Sequence, residues 1–455
     1  MHITLLNQYY APDEAATAQF LADLGAGLAA AGHLVTAVCG DRSYANSSLR
    51  YSRRDRIDGV DIRRARVSGF GRASAIGRLA DYGTFILGAI VHLLRCPKPG
   101  VVVSLSTPPF IALIGSIAAR VRGAKSIFWS MDVYPDLAFE LGVLRRNSLV
   151  GGVARFISTS IIARSDAVVA LGETMAKRLR MAGAKNVKVV PNWADEWSSN
   201  GTRNPFRTQW GWDGWFVVLY SGNLGLAHEF ETVLEAAKML EKDGDTEAER
   251  AGTDAQRNQG EGGERDVQDC PGGAPRVLFA FVGGGPQLEA TKRRAEELGL
   301  RNVEFRDYVR RADLGKSLTA GDVHLVTMRE GMAGLLVPSK IYGILAAARP
   351  VCYVGPAEGE IYDVVREGRC GARIANGDAA SLVEEIRAYR ADADRCRRHG
   401  ANGRKLFERH FTREQGIRNF LDVIDSVTAP DGPSSGGPLK LAAGHPPGCS
   451  DLRIH

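Results

Sequence analysis

One pattern repeats along almost all of this 455-residue chain: a short, nearly uninterrupted apolar run is followed by a turn and a helix-length stretch. The first examples are the run 2-HITLLN-7, an alanine-rich periodic segment over 14–31, and the run 34-LVTAVCG-40. Such runs are typical of parallel strands, because helices cover both faces of a parallel sheet. Further strand candidates are 100-GVVVSLS, 125-KSIFWS, 166-DAVVAL, 187-VKVVPN, 215-WFVVLYS, 276-RVLFAFV, 302-NVEFRDY, 321-GDVHLVTM and 370-CGARI. The pattern predicts an α/β protein with doubly wound, Rossmann-like sheets.

Midway along the chain the repeated pattern is interrupted by a polar, turn-rich stretch, 191-PNWADEWSSNGTRNP-205. A chain of this length favours two domains, so we place the boundary there. The interpretation is an N-terminal Rossmann-like domain over 1–192, a linker over 193–205 and a second Rossmann-like domain over 206–412.

Two segments do not fit the pattern. Residues 242–275 are rich in Gly, Glu, Asp and Gln and contain almost no apolar side chains, so we predict a disordered insertion. The Pro/Gly-rich end of the chain, 428–455, is predicted to be a disordered tail. A helix at about 413–427 precedes this tail and is expected to pack back on the N-terminal domain.

Positive charge is concentrated early in the chain. The net charge is +6, and between Arg50 and Arg78 nine arginines stand against three aspartates. Residues 74–95 then read as an amphipathic helix with arginines near both ends, which suits an interfacial membrane helix. We therefore expect region 50–95 to contact an anionic membrane peripherally, and an ordinary solvated surface is the alternative. No aromatic-and-basic nucleic-acid module accompanies the region.

Other features bear on location. Seven cysteines are scattered without C-x-x-C spacing, which indicates neither a zinc site nor a disulfide framework and favours a reducing compartment. The start of the chain passes directly into a strand-like run, so we expect no signal peptide. The charge-free window over 101–119 would suit a membrane span, but Pro108 and Pro109 divide it into a strand and a shorter helix.

Ligands of open α/β sheets bind outside the carboxyl ends of the strands, so the loops that follow the strands are candidate sites. After the strand at 215–221 the sequence is 220-YSGNLGLAHEF-230. Gly222 and Gly225 would let backbone amides approach a phosphate, and Asn223 and His228 would add side-chain donors. The turn 283-GGGP-286, which contains Gly284, has the same character, although helix-entry punctuation explains it equally well.

A third phosphate-compatible segment is 337-VPSKIYGILAAARPV-351, in which Pro338, Ser339 and Lys340 precede a helix of small residues. A hydroxyl and a cation beside a helix N-terminus suit an anion, because backbone N–H groups there are unpaired. The alternative is an N-cap serine with a solvated lysine.

Two candidate loops follow strands of the first domain. The loop 7-NQYYAPDEAATAQF-20 lacks the G-x-G-x-x-G spacing of a dinucleotide site but allows close approach of an acceptor. In 129-WSMDVYPD-136, Asp132 could accept a proton or hold a hydroxyl, or it could only cap a turn. Asp136 and Glu140 read as first-turn residues of a helix.

Several of these motifs together, namely GHLVTAVCG, PNWAD, YSGNLG, FVGGGP and PSKIYGILAAARPV, resemble the family 4 glycosyltransferases of the GT-B fold. NQYYAPD, TPP, DVYPD and PSK are similar to the enzymes that extend lipid-linked saccharides of bacterial O-antigen, capsule or colanic acid. The resemblance implies two Rossmann-like domains facing across a cleft and retaining transfer from a nucleotide-sugar, expected to be UDP-linked. It further implies no metal or other cofactor, a polyprenyl-linked acceptor, and a cytoplasmic protein at the inner face of the plasma membrane.

The resemblance also assigns roles. Lys340 and helix amides would stabilise charge on the departing diphosphate, and Asp132 and His228 would orient a sugar or acceptor hydroxyl. The family usually has two glutamates at places where this chain has Leu335 and Gly343. In the family the second of these glutamates usually holds the ribose of the donor, so the ribose needs another partner here. Glu360, at the start of the next helix, is the candidate.

Some alternatives remain open from the sequence alone. Glu330 lies five residues before Leu335 and cannot simply replace the first family glutamate. Arg310 and Arg311 could reach the phosphates or form a solvated basic turn. A nucleotide-sugar 2-epimerase of the same fold and a non-catalytic membrane-associated assembly protein are the alternative functions.

Overall fold

The computed structural model describes residues 1–44, 46, 48–70, 75–197, 204–242 and 276–429. Within these residues the chain forms two α/β halves, each built on one sheet, which confirms the predicted fold class. The predicted insertion, apart from Lys242, lies outside the described residues. The predicted tail also lies outside them, apart from Thr428 and Ala429.

The sheet of the N-terminal half contains β1 (His2–Leu6), β2 (Leu34–Gly40), β3 (Arg54–Ile57), β4 (Val60–Ala65), β5 (Val101–Ser104), β6 (Lys125–Trp129), β7 (Ala167–Ala170) and β8 (Val187–Val189). Their order is β3-β4-β2-β1-β5-β6-β7-β8, and only β3 and β4 pair antiparallel. β3 and β4 were not predicted from the sequence, because arginines and aspartates interrupt their apolar pattern. The strand order reverses between β1 and β5, so the carboxyl ends of these two strands flank a crevice.

The helices of this half are α1 (Ala16–Ala30), α2 (Ala75–Arg95), α3 (Ile111–Arg122), α4 (Asp136–Glu140), α5 (Leu149–Arg164) and α6 (Glu173–Met181). α2 packs against α3, and α3 packs against α5. The charge-free window over 101–119 forms β5 and most of α3. Among the described helices, none combines the length and the apolar character that crossing a membrane requires.

The sheet of the C-terminal half contains β9 (Phe216–Ser221), β10 (Val277–Val282), β11 (Val303–Arg306), β12 (Val323–Thr327), β13 (Val351–Val354) and β14 (Gly371–Ile374). All pairs are parallel, in the order β11-β10-β9-β12-β13-β14. Its helices are α7 (Pro205–Trp210), α8 (231–242), α9 (Leu288–Glu297), α10 (Leu314–Ala320), α11 (Lys340–Ala346), α12 (Glu360–Gly368), α13 (Ala379–Ala391) and α14 (Ala393–His410), with a 3₁₀ turn (Arg311–Asp313) before α10.

The last described helix, α15 (Arg413–Thr428), returns to the N-terminal half and packs against α1. Gly27 allows this close approach, because a Cβ atom there would lie 2.6 Å from Cγ2 of Ile417. The helix α15 also packs on β6, where the ring centroids of Trp129 and Phe420 are 4.9 Å apart. The chain therefore crosses between the halves twice.

The two halves also touch through loops. The Val133 N–H donates to the Leu335 carbonyl at 2.8 Å, beside an isolated antiparallel bridge between Asp132 and Leu336. Arg178 Nε donates to the Ala333 carbonyl at 2.9 Å. Residues 332–336, which lead into α11, are thus held by the N-terminal half.

One of the nine arginines of the predicted basic face, Arg64, does not lie on the surface. Arg64 is 1% exposed and shares an inward-facing register with Val60 and Ile62 of β4. Its guanidinium donates to the carbonyls of Ser52 at 2.8 Å and Ala11 at 2.7 Å. Arg64 is therefore a hydrogen-bonded core residue, because the alternation of the strand buries it.

Candidate active site

The crevice of the C-terminal half lies where its strand order reverses, between β9 and β12. Gly222 follows β9 directly, and the segment 328–339 runs from β12 to α11. In doubly wound sheets this position is the usual ligand site. Two of the predicted segments therefore meet at the crevice.

The loops after β9 and β10 interlock through glycines. The Leu224 N–H donates to the Gly284 carbonyl at 2.7 Å. Gly222 and Gly283 have φ values of +128° and +145°, and a Cβ atom at Gly283 would lie 2.1 Å from the Gly222 oxygen. Such backbone is accessible to glycine and strained for other residues. Gly283 was not singled out from the sequence, although the run of three glycines contained it.

Lys340, the first residue of α11, reaches this glycine loop. Its Nζ lies 3.6 Å from the ring centroid of Tyr220 and donates to the Tyr220 hydroxyl. A Cβ atom at Gly222 would lie 3.5 Å from the Lys340 Cε. Burial lowers the pKa of Lys340 well below its ordinary value. Among the described residues no carboxylate lies within ion-pair distance of this ammonium, so the site lacks a counter-charge.

His228 lies beside the same loop. Its Nδ1 is 2.5 Å from the Thr327 carbonyl, and because a carbonyl only accepts, Nδ1 carries the proton. Burial and the charge of Lys340 lower the pKa of His228 to about 3, so the ring is neutral at pH 7 and its Nε2 is an acceptor. The expectation that His228 would donate to a phosphate is wrong for this tautomer. Its Nε2 instead suits a sugar hydroxyl.

Asn223 and Gly225 complete the loop. A Cβ atom at Gly225 would lie 3.1 Å from the Asn223 Nδ2 and 3.4 Å from the His228 Cδ2, so the amide and the imidazole flank this glycine. The Gln287 side chain donates to the Gly225 carbonyl at 2.5 Å and to the His228 carbonyl at 3.0 Å. Gln287 thus ties the loop to the segment that follows Gly284.

Ser339 does not cap α11. It occupies the N-cap position, but its φ and ψ of −61° and −15° are helical and its side chain makes no capping hydrogen bond. Pro338, which precedes it, accepts at its carbonyl from the Ile341 N–H at 3.3 Å. The alternative of an N-cap serine therefore fails, and the serine hydroxyl is left for another partner.

The positions of the missing family glutamates are apolar. Leu335 is 1% exposed, and Gly343 lies in the buried face of α11. A Cβ atom at Gly343 would lie 3.1 Å from Cδ1 of Leu318. A glutamate at this place would have to displace Leu318.

The structure engages Glu360 with the other half. Glu360 is the first residue of α12 and is 9% exposed, and its Oε1 accepts from the Met175 N–H at 2.8 Å. A Cβ atom at Gly172 would lie 1.9 Å from the Glu360 Cγ, so the missing side chain at Gly172 makes room for the contact. Glu360 therefore caps the N-terminus of α6. The structure does not bring it to the glycine loops, and the ribose role stays a prediction.

Asp132 lines a separate pocket of the N-terminal half. Its backbone pairs with Leu336, four residues before Lys340, but no neighbouring charge shifts the pKa of its carboxyl. Burial alone raises this pKa to about 6. The pocket also contains Ser106, Phe110, Phe128, Ser130, Val133, Tyr134, Ser158, Ile161 and Leu179. The structure therefore brings the backbone of Asp132 near the donor loop without pairing its carboxylate with Lys340.

Polar residues follow both strands that flank the crevice of the N-terminal half, β1 and β5. Asn7 and Gln8 follow β1, and Ser106 follows β5. All three residues are buried, and the side-chain oxygens of Asn7, Gln8 and Ser106 have no hydrogen-bond partner within the part of the chain that the structure describes. Unsatisfied buried polar atoms are costly, so a cluster of them at a strand-end crevice indicates a ligand site.

Arg311 does not face the glycine loops. Its guanidinium pairs with Asp23 of α1 at 2.9 Å and with Asp195 at 3.1 Å, which links the two halves. Arg310 is exposed and pairs with Asp313 at 3.0 Å. For Arg311 neither alternative left open by the sequence, the phosphates or a solvated turn, describes the structure, because two carboxylates distant in the sequence neutralise it.

The predictions for α4 are half correct. Asp136 is its first residue, as expected. Glu140 is its last residue and pairs with Arg146, so its assignment to the first turn was wrong. Among the described residues, no group of three or more His, Cys, Asp and Glu side chains is placed to hold a metal ion.

Two family patterns match the chain. The family described as "Glycosyl transferase 4-like domain" matches residues 16–193, and the family described as "Glycosyl transferases group 1" matches residues 267–392. The chain is 25% identical over 300 residues to the "Probable glycosyltransferase WbjE" of Pseudomonas aeruginosa, covering 64% of this chain and 67% of that one. It is 24% identical over 442 residues to the "Putative colanic acid biosynthesis glycosyl transferase WcaI" of Escherichia coli K12, covering 93% and 100%.

Solved structures share the fold at low identity. A sucrose-phosphate synthase from Thermosynechococcus elongatus superposes with a TM-score of 0.68 at 15% identity, covering 94% of this chain and 99% of that one. HepE of Anabaena in complex with UDP and glucose gives 0.66 at 16% identity, covering 94% and 100%. WaaG, a glycosyltransferase of lipopolysaccharide biosynthesis, gives 0.63 at 14%, covering 94% and 100%. These likenesses identify the fold as GT-B.

Proposed function

Because the chain is a family 4 glycosyltransferase of the GT-B fold, we propose that it transfers a sugar, with retention, from a UDP-linked donor to a polyprenyl-linked saccharide. The product would be part of a bacterial surface polysaccharide. The name of WcaI supports a role in such a polymer, and the complexes of HepE with UDP and with UDP-glucose support the donor class.

The observation that carries the proposal is an ammonium without a counter-ion at the sheet's switch point. Lys340 lies against Gly222, whose loop presents backbone to the crevice, and no described carboxylate pairs with it. A diphosphate leaving group would supply the missing negative charge. Preorganised cations and backbone amides that face a developing charge are usually the largest contribution to catalysis of this kind.

The hydroxyl partners would come from both halves. In the donor site, His228 Nε2 is an acceptor held in place by the Thr327 carbonyl. In the N-terminal half, Asp132 and Ser106 line a small pocket whose carboxylate and hydroxyl could receive a hydroxyl of the acceptor. The backbone bridge between Asp132 and Leu336 would keep the acceptor pocket next to the donor segment.

The acceptor's lipid would lie along the helices of the N-terminal half, and the protein would be cytoplasmic and peripheral to the inner membrane face. On α2, Ile76 is 82% exposed and Leu79 is 72% exposed. On α5, Leu149 and Phe156 are 86% and 72% exposed. α3 packs against both helices, and arginines accompany these apolar residues, which suits an anionic leaflet.

The proposal is tested with purified protein, bacterial membranes and a panel of radiolabelled nucleotide-sugars. Label from one donor should appear in the lipid fraction, and Lys340→Ala should lower the rate at least about tenfold. Conversion of the donor in the absence of membranes would instead indicate a 2-epimerase. An unchanged rate in Lys340→Ala would remove Lys340 from the mechanism.

A further inference from the structure

Tyr220 is a fully buried residue near the end of β9 that the sequence presents as one more apolar strand residue. Its ring packs edge-on against Phe230, with centroids 5.1 Å apart, and in a tilted arrangement against Phe281, with centroids 5.8 Å apart. Its hydroxyl donates to the Asn223 carbonyl at 2.8 Å. The phenol is therefore fixed by the core on one side and by the donor loop on the other.

Two interactions join this phenol to Lys340. The Lys340 Nζ lies 3.6 Å from the ring centroid, within the range of a cation–π contact. The same ammonium donates to the phenol oxygen. These roles are compatible, because the phenol's only hydrogen is directed to Asn223 and its lone pairs can accept.

The other titratable groups on this face do not compete for the ammonium. His228 is neutral, since burial and the charge of Lys340 lower its pKa to about 3. Tyr308 lies against Gly284 and contributes to the raised pKa of Tyr220. The pKa of Tyr308 is itself raised, because the side chain is partly buried. A carboxylate partner would hold the lysine but cancel its charge. A neutral phenol holds it and leaves the charge for an incoming anion.

We propose that Tyr220 is a positioning residue that holds the Lys340 ammonium, through its ring and its oxygen, where the donor's diphosphate binds. The inference rests on the proposed function, because it takes the diphosphate as the ligand of Lys340. It adds a residue whose only contact with the donor is through the lysine. It also connects the strand, the Asn223 carbonyl and α11 into one unit.

The experiment measures UDP affinity by isothermal titration calorimetry between pH 7.5 and 10. Over this range the phosphates stay ionised, whereas the uracil N3–H loses its proton near the upper end, so the pH dependence is compared with that of a variant that keeps a cation at position 340. In the unaltered protein, affinity should fall as pH rises through the lowered pKa of Lys340, because the neutral amine no longer attracts the diphosphate. Tyr220→Phe keeps the ring but removes the oxygen that accepts from the ammonium. The charged form then loses a hydrogen bond, so the fall should move to lower pH and affinity at pH 8 should drop about tenfold.

Two control variants sharpen the result. Tyr353→Phe removes a hydroxyl that is equally buried in β13 and has no hydrogen-bond partner in the described part of the chain, so it should bind UDP like the unaltered protein. Lys340→Arg should show only the weakening that comes from ionisation of the uracil N3–H, because a guanidinium stays ionised. Should Tyr220→Phe not fold, 3-fluorotyrosine at position 220 weakens the oxygen as an acceptor and should move the fall in the same direction.

The outcomes separate the two claims. Tyr220→Phe could weaken UDP binding by the same factor at every pH and leave unchanged the pH at which affinity falls. This result would show that Tyr220 only supports the fold, and it would overturn the inference while leaving Lys340 as the anion site. A fall in the unaltered protein no larger than that of Lys340→Arg would instead overturn the proposed role of Lys340. A shift confined to the Tyr220 variants is the expected result.

Discussion

The two crevices of the molecule lie at equivalent places in two doubly wound sheets but carry opposite chemistry. At the ends of β9 and β10, Gly222 and Gly283 leave the backbone accessible, and the ammonium of Lys340 lies beside Gly222. At the crevice between β1 and β5 the side chains are the neutral polar groups of Asn7, Gln8 and Ser106, and Asp132 follows the neighbouring strand β6. The comparison teaches that topology determines where ligands bind, whereas a few side chains at the strand ends determine which ligand. A polyanion suits the first crevice and a sugar hydroxyl suits the second.

The largest effect is expected from a substitution in the glycine loops of the C-terminal half. Gly283→Ala places a Cβ atom 2.1 Å from the Gly222 oxygen, on backbone with φ of +145°. We expect loss of UDP binding and a loss of about 3 kcal/mol in the free energy of unfolding, measured by calorimetry and urea denaturation. The matched control is Gly152→Ala in α5, where no atom lies within 4 Å of the new Cβ. Unimpaired UDP binding by Gly283→Ala would contradict the site.

The second prediction compares two variants that each remove one charged side chain, one from each half of the molecule. Lys340→Met removes a charge-assisted contact to the diphosphate and should weaken UDP binding by about 2–3 kcal/mol, or roughly 30- to 150-fold. Asp132→Asn should leave UDP affinity unchanged, because no charge contact links Asp132 to the donor loop. Calorimetry with UDP checks both variants. Equal weakening by the two would mean that the crevices are not chemically distinct.

The third prediction concerns the membrane side of the N-terminal half. Leu79→Glu places a charge on the exposed apolar face of α2 and should reduce binding to vesicles with anionic lipid by about tenfold, since burying a leucine contributes about 1.5–3 kcal/mol. Vesicle sedimentation measures the binding. UDP affinity should stay the same, because α2 does not line the donor crevice. Vesicle binding that is insensitive to Leu79→Glu would argue against this docking face.

The smallest expected effect is on stability. Burial raises the pKa of Asp132 to about 6, so the folded state favours the protonated carboxyl. Its folded pKa exceeds its unfolded value, and stability is therefore lost as pH rises from about 4 to 6. Asp132→Asn should raise the free energy of unfolding by about 1–2 kcal/mol at pH 7.5 and by almost nothing at pH 4. Urea unfolding at both pH values measures these differences. A variant that is less stable than the unaltered protein at pH 7.5 would contradict the prediction.

The sequence predicted the features that depend on neighbours along the chain. Unbroken apolar runs indicated the central strands, and the glycines of 222–225 and 283–285 indicated tight loops after them. β3 and β4 escaped prediction because charged residues such as Arg64 break the apolar pattern, and only tertiary hydrogen bonds explain the burial of that arginine.

The contacts of two candidate residues could not be predicted, for one physical reason. Local position suggested the donor as partner of Glu360 and left it open for Arg311, but their observed partners, Met175 and Asp23, lie 185 and 288 residues away. Tyr220 was overlooked because a tyrosine within a buried strand has no distinctive local pattern. Such pairings arise from folding and cannot be read from spacing.

The most direct test of the central claim is a crystal structure of the protein soaked with UDP. We expect the diphosphate to bind at the end of β9. One of its oxygens should lie within hydrogen-bond distance of the Lys340 Nζ, and backbone amides of the glycine loops should lie beside it. A nucleotide bound in the crevice of the N-terminal half, or a diphosphate held by a metal ion on carboxylates, would contradict it.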